Sequence, residues 1–169
     1  FTRPPVVLGN LPYNASKPIV DRILKWGGFR RAIFMIQEEV GERLIAGPGG
    51  SAYSLSSVFF QWRAHGRIIL RVPPKAFSPP PRVNSAVLSC VPKSQSLGLA
   101  DDQRRAFERL VRFSFFSRRQ KLVKNLARRL PHIGRPLIEE KLHACGIASG
   151  ARPQEVDLGQ FMRLAGLLV

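Results

Sequence analysis

Apolar residues in the first half of the chain fall into short runs separated by segments with a helical repeat. Four runs are predicted to be strands: VVLGN (6–10), RAIFMIQ (31–37), GRIILRVP (66–73) and RVNSAVLSCV (82–91). The intervening segments carry apolar residues every three to four positions, which predicts helices over residues 16–26, 38–46 and 55–64. Strands that alternate with helices are typical of an α/β fold with a mostly parallel sheet.

Local signals refine two of these elements. Ser16 is the predicted cap of the first helix, and Gly27 with Gly28 is its predicted stop. The almost uninterrupted apolar run over residues 31–37 predicts a strand that is covered on both faces.

The second half of the chain has a different character, because no strand pattern occurs after Asp102. Helical periodicity predicts four helices, near residues 102–115, 118–130, 135–145 and 157–168. We therefore expect an α/β domain over residues 1–93 and a helical domain over residues 94–169, with a polar link at 94–102.

A proline-rich segment, KAFSPPPRV (75–83), separates the last two predicted strands. Three consecutive prolines continue neither a helix nor a sheet ladder, so they predict a stiff, extended arm. Such an arm would hold Phe77 and Arg82 in fixed places. A plain linker is the alternative interpretation.

The charge of the chain changes the picture of its partners. Lys and Arg number 27 against 11 Asp and Glu, which leaves a formal net charge of +16. A surplus of this size favours a polyanionic partner, with a generally basic surface as the alternative. Residues 109–138 hold nine basic side chains and no acidic one: Arg109, Arg112, Arg118, Arg119, Lys121, Lys124, Arg128, Arg129 and Arg135.

Phe113, Phe115 and Phe116 lie among these basic residues, which suits a helix that faces RNA as well as a merely solvated face. The two cysteines, Cys90 and Cys145, are far apart and form no CxxC, so we expect a reducing compartment and no zinc site or disulfide. No apolar run is long enough to span a bilayer. We expect a cytoplasmic protein with no membrane partner.

The first predicted strand ends on Asn10, Leu11, Pro12 and Tyr13. Ligands of open α/β sheets bind beyond the carboxyl ends of the strands. There, the Asn10 amide oxygen and the Leu11 carbonyl would accept both hydrogens of an exocyclic amine, and Tyr13 would stack on the base. Accepting both hydrogens in a site that excludes water would free the nitrogen lone pair for attack.

Five stretches extend this motif into a family resemblance: GNLPYNAS (9–16), MIQEEVGERLIAGPGGSAYSLSSV (35–58), VPPKAFSPPPRVNSAV (72–87), FSRRQKLVKNL (116–126) and ARPQEVDLGQF (151–161). In this order they resemble the ribosomal RNA adenine N6,N6-dimethyltransferase family, the dimethyladenosine transferases of small-subunit rRNA, which includes the erythromycin-resistance methylases. The resemblance implies the C-terminal half of a Rossmann-like class I methyltransferase sheet, followed by a small all-α domain that grips rRNA.

The resemblance also implies roles for individual residues. Asn10, Leu11, Pro12 and Tyr13 match the motif that holds the amine, and Asn10 would also lie against the methionine end of S-adenosylmethionine. Phe77 matches the second aromatic that stacks on the target base. For phosphate contacts we expect Arg82, Arg112, Arg118, Arg119, Lys121, Lys124, Arg128 and Arg129.

The implied reaction is two successive methyl transfers from S-adenosylmethionine to adenine N6, without a metal. The partner would be small-subunit rRNA or a 30S-type pre-ribosomal particle, bound by a monomer. A non-catalytic assembly factor, a large-subunit methylase of the antibiotic-resistance type and a DNA adenine methylase are the alternatives.

Two departures from the family pattern remain. The family has YG where this chain has Tyr53-Ser54, and QKEVA where it has residues 37–41, which affects local contacts. No Gly-rich loop after a strand and no acidic ribose ligand are found for the cofactor. We therefore expect a fragment whose sheet has an open edge. By itself, this fragment is expected neither to bind S-adenosylmethionine properly nor to catalyse methyl transfer.

Overall fold

A computed structural model describes residues 3–93 and 100–168. The strands are β1 (Val6–Asn10), β2 (Arg31–Gln37), β3 (Ala64–Val72) and β4 (Ser85–Pro92). The helices are α1 (Ser16–Trp26), α2 (Glu38–Ile45), α3 (Leu55–Arg63), α4 (Asp101–Ser114), α5 (Leu122–Arg129), α6 (Arg135–Ala144) and α7 (Leu158–Leu168). Every strand and helix predicted from the sequence is present, and the ends of several are shifted.

The described residues divide into two compact units. Residues 3–45 and 60–93 form the sheet unit, and residues 46–59 and 100–168 form the helical unit. The division falls inside α3. Most of the polar link predicted over residues 94–102 lies outside the described residues, and its end, from Asp101, already belongs to α4.

The sheet has the strand order β1-β2-β4-β3. β1 and β2 are parallel, whereas β4 is antiparallel to both β2 and β3. Three of the four described strands thus run in the same direction. The expectation of a mostly parallel sheet is nevertheless wrong, because only one of the three pairings between described strands is parallel. The reason is the connection between β3 and β4, residues 73–84, which contains no α-helix that could carry the chain back to the other end of the sheet.

The core of the sheet unit lies on one face of β2. Ala32, Phe34 and Ile36 are fully buried, and they share a core cluster with the buried Leu24 of α1 and Leu44 of α2. Of the alternate residues of β2, Arg31 is exposed and the others are only partly buried, so the prediction of a strand covered on both faces is wrong. Within the described residues, the core-forming helices pack on one face of this strand.

The ends of some elements differ from the sequence prediction. Ala15, not Ser16, occupies the N-cap of α1, and the Ser16 hydroxyl instead donates to the Tyr13 carbonyl at 3.2 Å. Gly27 ends the helix in the left-handed conformation, φ 65°, as its type predicts. α5 begins at Leu122 rather than 118, because residues 117–121 form turns.

The helical unit packs its own core from α4–α7. Phe107, Leu110, Leu126, Ile138 and Phe161 are all buried there. The segment 46–59 belongs to this unit: the buried Tyr53 donates its hydroxyl to the Val156 carbonyl at 3.1 Å, and its ring meets Phe115 edge-on. Burial raises the pKa of the Tyr53 hydroxyl. As predicted, no strand occurs in residues 100–168.

Candidate active site and nucleic-acid interface

One edge of the sheet collects the residues that the motif singled out. β1, β2 and β3 end there at Asn10, Gln37 and Val72, and the antiparallel β4 begins there at Ser85. The register pairs Ser85 with both Gln37 and Val72. The Asn-Leu-Pro-Tyr motif and both ends of the loop that carries Phe77 therefore share this edge.

The motif is fixed between β1 and α1 by hydrogen bonds. The Leu11 N–H donates to the Met35 carbonyl at 3.0 Å, which extends the pairing of β1 with β2 by one residue. The Pro12 carbonyl accepts from the Ala15 N–H at 3.0 Å, and Leu11 buries its side chain in the core. A buried leucine and a proline thus hold the backbone on either side of the Leu11 carbonyl.

Tyr13 links the motif to the far side of the proline-rich loop. Its hydroxyl and the Ser85 hydroxyl are 2.6 Å apart, and Ser85 is fully buried at the start of β4. This hydrogen bond orients the half-buried Tyr13 ring relative to the strand that follows the loop. Ser85 was not predicted from sequence, since a serine at the start of a strand carries no signal of its partner.

Asn10 and Leu11 present hydrogen-bond acceptors at this edge. The Asn10 side chain is exposed, and within the described part of the chain no donor contacts its amide oxygen or the Leu11 carbonyl oxygen. Two such oxygens at the carboxyl end of a strand suit a ligand that offers two N–H groups.

Phe77 lies in the loop between β3 and β4, after a 3₁₀ turn at Pro74–Ala76. Its side chain is half-buried, its backbone is extended (φ −120°, ψ 153°), and its N–H donates to the Pro74 carbonyl at 3.1 Å. Arg82, in the same loop, is exposed. No helix or regular strand forms over residues 77–84, which is what both the predicted arm and the alternative of a plain linker require.

A network of charged and polar residues clasps both ends of this loop, and we call it the loop clasp: Glu38, Glu42, Arg71 and Asn84. Arg71, near the end of β3, donates to the Glu38 carboxylate and, at 3.1 Å, to Glu42. The Glu38 N–H donates to the Asn84 carbonyl at 3.0 Å. Hydrogen bonds from Asn84 and then from Arg71 hold the pKa of Glu38 below its usual range.

The residues expected to contact phosphate have unlike environments. Arg118 donates to the Ser51 and Tyr53 carbonyls at 2.9 and 2.8 Å, so its guanidinium fastens a loop of the helical unit. Arg112 lies 5.2 Å from the centre of the Phe59 ring, and Arg129 lies 3.7 Å from that of Phe116. Four others are exposed and make no ion pair with a described residue: Arg119, Lys121, Lys124 and Arg128.

Asn125 is a further residue whose role the sequence prediction missed. It is buried in α5 and donates to the Ser114 and Ser117 carbonyls at 2.7 and 2.9 Å, which shapes the turn between α4 and α5. A signal existed, because Asn125 stands among Leu122, Val123 and Leu126 on the apolar side of the helix.

Other chemistry finds no support in the described residues. No group of three or more potential metal ligands occurs among residues 3–93 and 100–168. Over the same ranges, every helix is too short or too polar to cross a bilayer. Cys90 and Cys145 are both free and buried, and burial raises the pKa of the Cys90 thiol to about 11.

Comparison with known proteins identifies the family. The family model described as "Ribosomal RNA adenine dimethylase" matches residues 2–168. The chain belongs to this family.

Relatives within the ribosomal RNA adenine dimethylase family are longer than this chain. The ribosomal RNA small subunit methyltransferase A of Pseudomonas fluorescens strain Pf-5 is 39% identical over 163 residues, which are 96% of this chain and 57% of the relative. The protein of the same name from Syntrophotalea carbinolica is 41% identical, over 99% of this chain and 63% of its own length. The chain thus spans about three fifths of these relatives.

Solved structures share the fold. A dimethyladenosine transferase from Plasmodium falciparum superposes with a TM-score of 0.81 at 22% identity, over 96% of this chain and 68% of that one. The 23S rRNA methyltransferase ErmE gives a TM-score of 0.73 at 24% identity, over 98% and 67%. The fold is that of a Rossmann-like methyltransferase sheet with a helical unit, as expected from the sequence.

Proposed function

We propose that this chain is the part of an S-adenosylmethionine-dependent rRNA (adenine-N6,N6)-dimethyltransferase that holds the target adenine and binds RNA. The observation that carries the proposal is the edge of the sheet at which β1, β2 and β3 end and β4 begins. This edge holds the two acceptors of Asn10 and Leu11, the Tyr13 ring and both ends of the loop with Phe77. The family of the chain supports it.

The proposed chemistry needs no nucleophilic side chain. The Asn10 amide oxygen and the Leu11 carbonyl accept the two hydrogens of the adenine N6 amine, which aligns its lone pair for in-line attack. Tyr13 and Phe77 stack on the two faces of the extruded base, which contributes roughly 1–3 kcal/mol per stacked ring. After the first transfer, one acceptor gives up its hydrogen bond to make room for the methyl group.

S-adenosylmethionine would supply the electrophilic methyl group as a sulfonium. The exposed Asn10 side chain fits a role beside its methionine end, because no other described residue occupies the amide with a hydrogen bond. The chain offers no cluster of metal ligands among its described residues, and the proposed transfer uses none.

The RNA partner is proposed from charge and family together. Ribosomal RNA of the small subunit, free or in a 30S-type particle, is the polyanion that best suits a net charge of +16 and relatives named for that subunit. The proposed substrate places the protein in the cytoplasm.

Asn10→Ala in the full-length protein tests the assigned roles. We expect dimethylation to be abolished, while rRNA affinity stays within a few-fold, because the amide aligns the amine rather than holding the RNA. Primer extension across small- and large-subunit rRNA reads out methylation and its site, and Asn14→Ala, a nearby exposed asparagine, is the matched control. Loss of RNA affinity together with activity would contradict the role of Asn10.

The RNA interface is tested by charge reversal at Lys121, Lys124 and Arg128. Log affinity falls as log salt rises, and each lost phosphate contact on single-stranded RNA should make this negative slope shallower by roughly 0.7. An unchanged slope in the triple variant would exclude this face of α5 from the interface. Such a result would not contradict the proposed adenine site at the edge of the sheet.

A further inference from the structure

Two adjacent phenylalanines at the end of α4 have opposite environments. Phe115 packs inside the helical unit, with ring centres 5.9 Å from Phe161 and 6.3 Å from Tyr53. Phe116 points outward and remains 53% exposed. An exposed phenylalanine loses the free energy that burial would provide, so its environment calls for a physical reason.

The turn that presents Phe116 is held in place on several sides. Asn125 donates to the carbonyls of Ser114 and Ser117 on either side of it, and Arg118 donates to the carbonyls of Ser51 and Tyr53. The Phe116 N–H itself donates to the Phe113 carbonyl at 3.3 Å. The outward direction of the ring therefore results from a fixed backbone and not from a loose segment.

Arg129 covers the exposed ring. Its guanidinium carbon lies 3.7 Å from the Phe116 ring centre, within stacking distance, and its side chain is exposed. Within the described residues Arg129 makes no ion pair with a carboxylate. A planar cation that is exposed to solvent thus lies over an exposed aromatic ring.

Exposed cations flank this pair on α5. Lys124 and Arg128 lie four residues apart on one side of the helix, and Lys121, its N-cap residue, precedes Lys124 by three residues. They are exposed, and none makes an ion pair with a described residue. We call these three residues the basic stripe, and it matches the charge of an RNA backbone.

We propose that Arg129 and Phe116 form a stacking platform for one unpaired RNA base, beside a basic stripe that holds the adjoining phosphates. The base lies on the outer face of the guanidinium, and the phenyl ring supports the guanidinium from below. Unpaired bases stack on arginine planes and aromatic rings without regard to sequence, whereas phosphate contacts need charge alone. The proposal rests on the proposed function, since it assigns part of the same RNA a second point of contact.

The experiment compares two short single-stranded RNAs of equal length and charge, an oligoadenylate and the same backbone with abasic riboses. Affinity of the chain for each is measured by fluorescence anisotropy over a range of salt. The variants are Arg129→Lys, which keeps the charge but removes the plane, Phe116→Leu, which keeps an apolar side chain without a ring, and Phe116→Trp. Leu137→Ala, an apolar side chain on α6 that is 44% exposed, is the control.

We expect Arg129→Lys and Phe116→Leu to weaken oligoadenylate binding about 5- to 150-fold while leaving abasic RNA and the salt slope unchanged. Phe116→Trp and Leu137→Ala should bind like the unaltered chain. Equal weakening for both RNAs, or no weakening for either, would overturn the platform. Absence of salt-dependent binding by the unaltered chain would instead contradict the RNA-binding part of the proposed function, and the platform with it.

Discussion

The side-chain amide of Asn125 lies buried between the carbonyl groups of Ser114 and Ser117 and donates to both. Its own amide oxygen is buried without a partner among the described residues. A buried polar group is stabilising only while its hydrogen bonds are made, so this side chain is tied to one geometry of the turn.

Asn125→Ala should lower the free energy of unfolding by about 1–3 kcal/mol, because one buried and one partly buried carbonyl lose their donor. Urea denaturation of the chain measures the change. Lys124→Ala, the exposed neighbour, should stay within about 0.5 kcal/mol. Equal stability of the two variants would mean that the turn is held by other contacts.

Gly66 in β3 provides space for a ring of α3. A Cβ atom at this position would lie 2.4 Å from two atoms of the Phe60 ring, and Phe60 is almost fully buried. The absence of a side chain is therefore a packing requirement and not a requirement of backbone conformation.

Gly66→Ala should destabilise the sheet unit by about 1–3 kcal/mol through overpacking. Combining it with Phe60→Leu should cost less than the sum of the two single changes, because the smaller side chain relieves the clash. Gly47→Ala, whose Cβ would meet nothing within 4 Å, is the control. Thermal unfolding of the four variants gives the coupling, and strict additivity would speak against the contact.

At the scale of the elements, the loop clasp joins α2, the end of β3 and the start of β4. At one end of the proline-rich loop, Arg71 donates a hydrogen bond to the Glu38 carboxylate. At the other end, the Glu38 N–H donates to the Asn84 carbonyl. Both ends of the loop that carries Phe77 are thereby attached to α2, a helix outside the Asn-Leu-Pro-Tyr motif. The clasp is partly exposed, so its effect is on the position of the loop more than on global stability.

Because the pKa of Glu38 is lowered in the folded chain, the loop clasp stabilises the fold at pH values above the usual carboxyl pKa. This stabilisation is lost as the pH falls through the lowered pKa. Glu38→Gln should therefore be less stable than the unaltered chain at neutral pH, with the difference vanishing in acid. Thermal unfolding between neutral pH and pH of about 3 tests this. Glu39→Gln, which removes an exposed carboxylate that pairs with Arg43 outside the loop clasp, is the control.

A charge exchange tests the pairing itself. Glu38→Arg and Arg71→Glu should each speed hydrogen exchange of the amides over residues 74–84, and the double variant should recover part of the protection. Without recovery, the Glu38–Arg71 contact would not be what holds the loop.

For the molecule as a whole, the edge strand β1 is the notable surface. It pairs with β2 on one side only among the described strands, as the expected open edge requires, and its Leu8 side chain is 71% exposed. An apolar edge strand is a template for pairing with another chain.

Leu8→Lys should reduce self-association of this chain, because a charged side chain on an edge strand opposes further pairing. Sedimentation velocity over a range of concentrations measures the change. Leu167→Lys, on an exposed site of α7, should leave association as it is. Association that is insensitive to residue 8 would place the contact elsewhere.

Much of the fold follows from local sequence. The repeat of apolar residues in 16–26 and 31–37 predicts a helix and a strand whose bounds the structure reproduces, and Gly27 ends α1 as its type requires. These features depend on neighbours within a few residues, which the sequence displays directly. The Asn-Leu-Pro-Tyr motif was found for the same reason.

What only the tertiary structure decided are the contacts between distant residues. Three features join positions that are far apart in the chain: the reversed direction of β4, the hydrogen bond between the Tyr13 and Ser85 hydroxyls, and the loop clasp around Glu38. The outward ring of Phe116 beside the inward ring of Phe115 depends on Asn125 and Arg118 in the same way. Local periodicity indicates whether a segment is a helix or a strand. Which other elements it contacts is decided by packing, which brings remote side chains within a few ångströms.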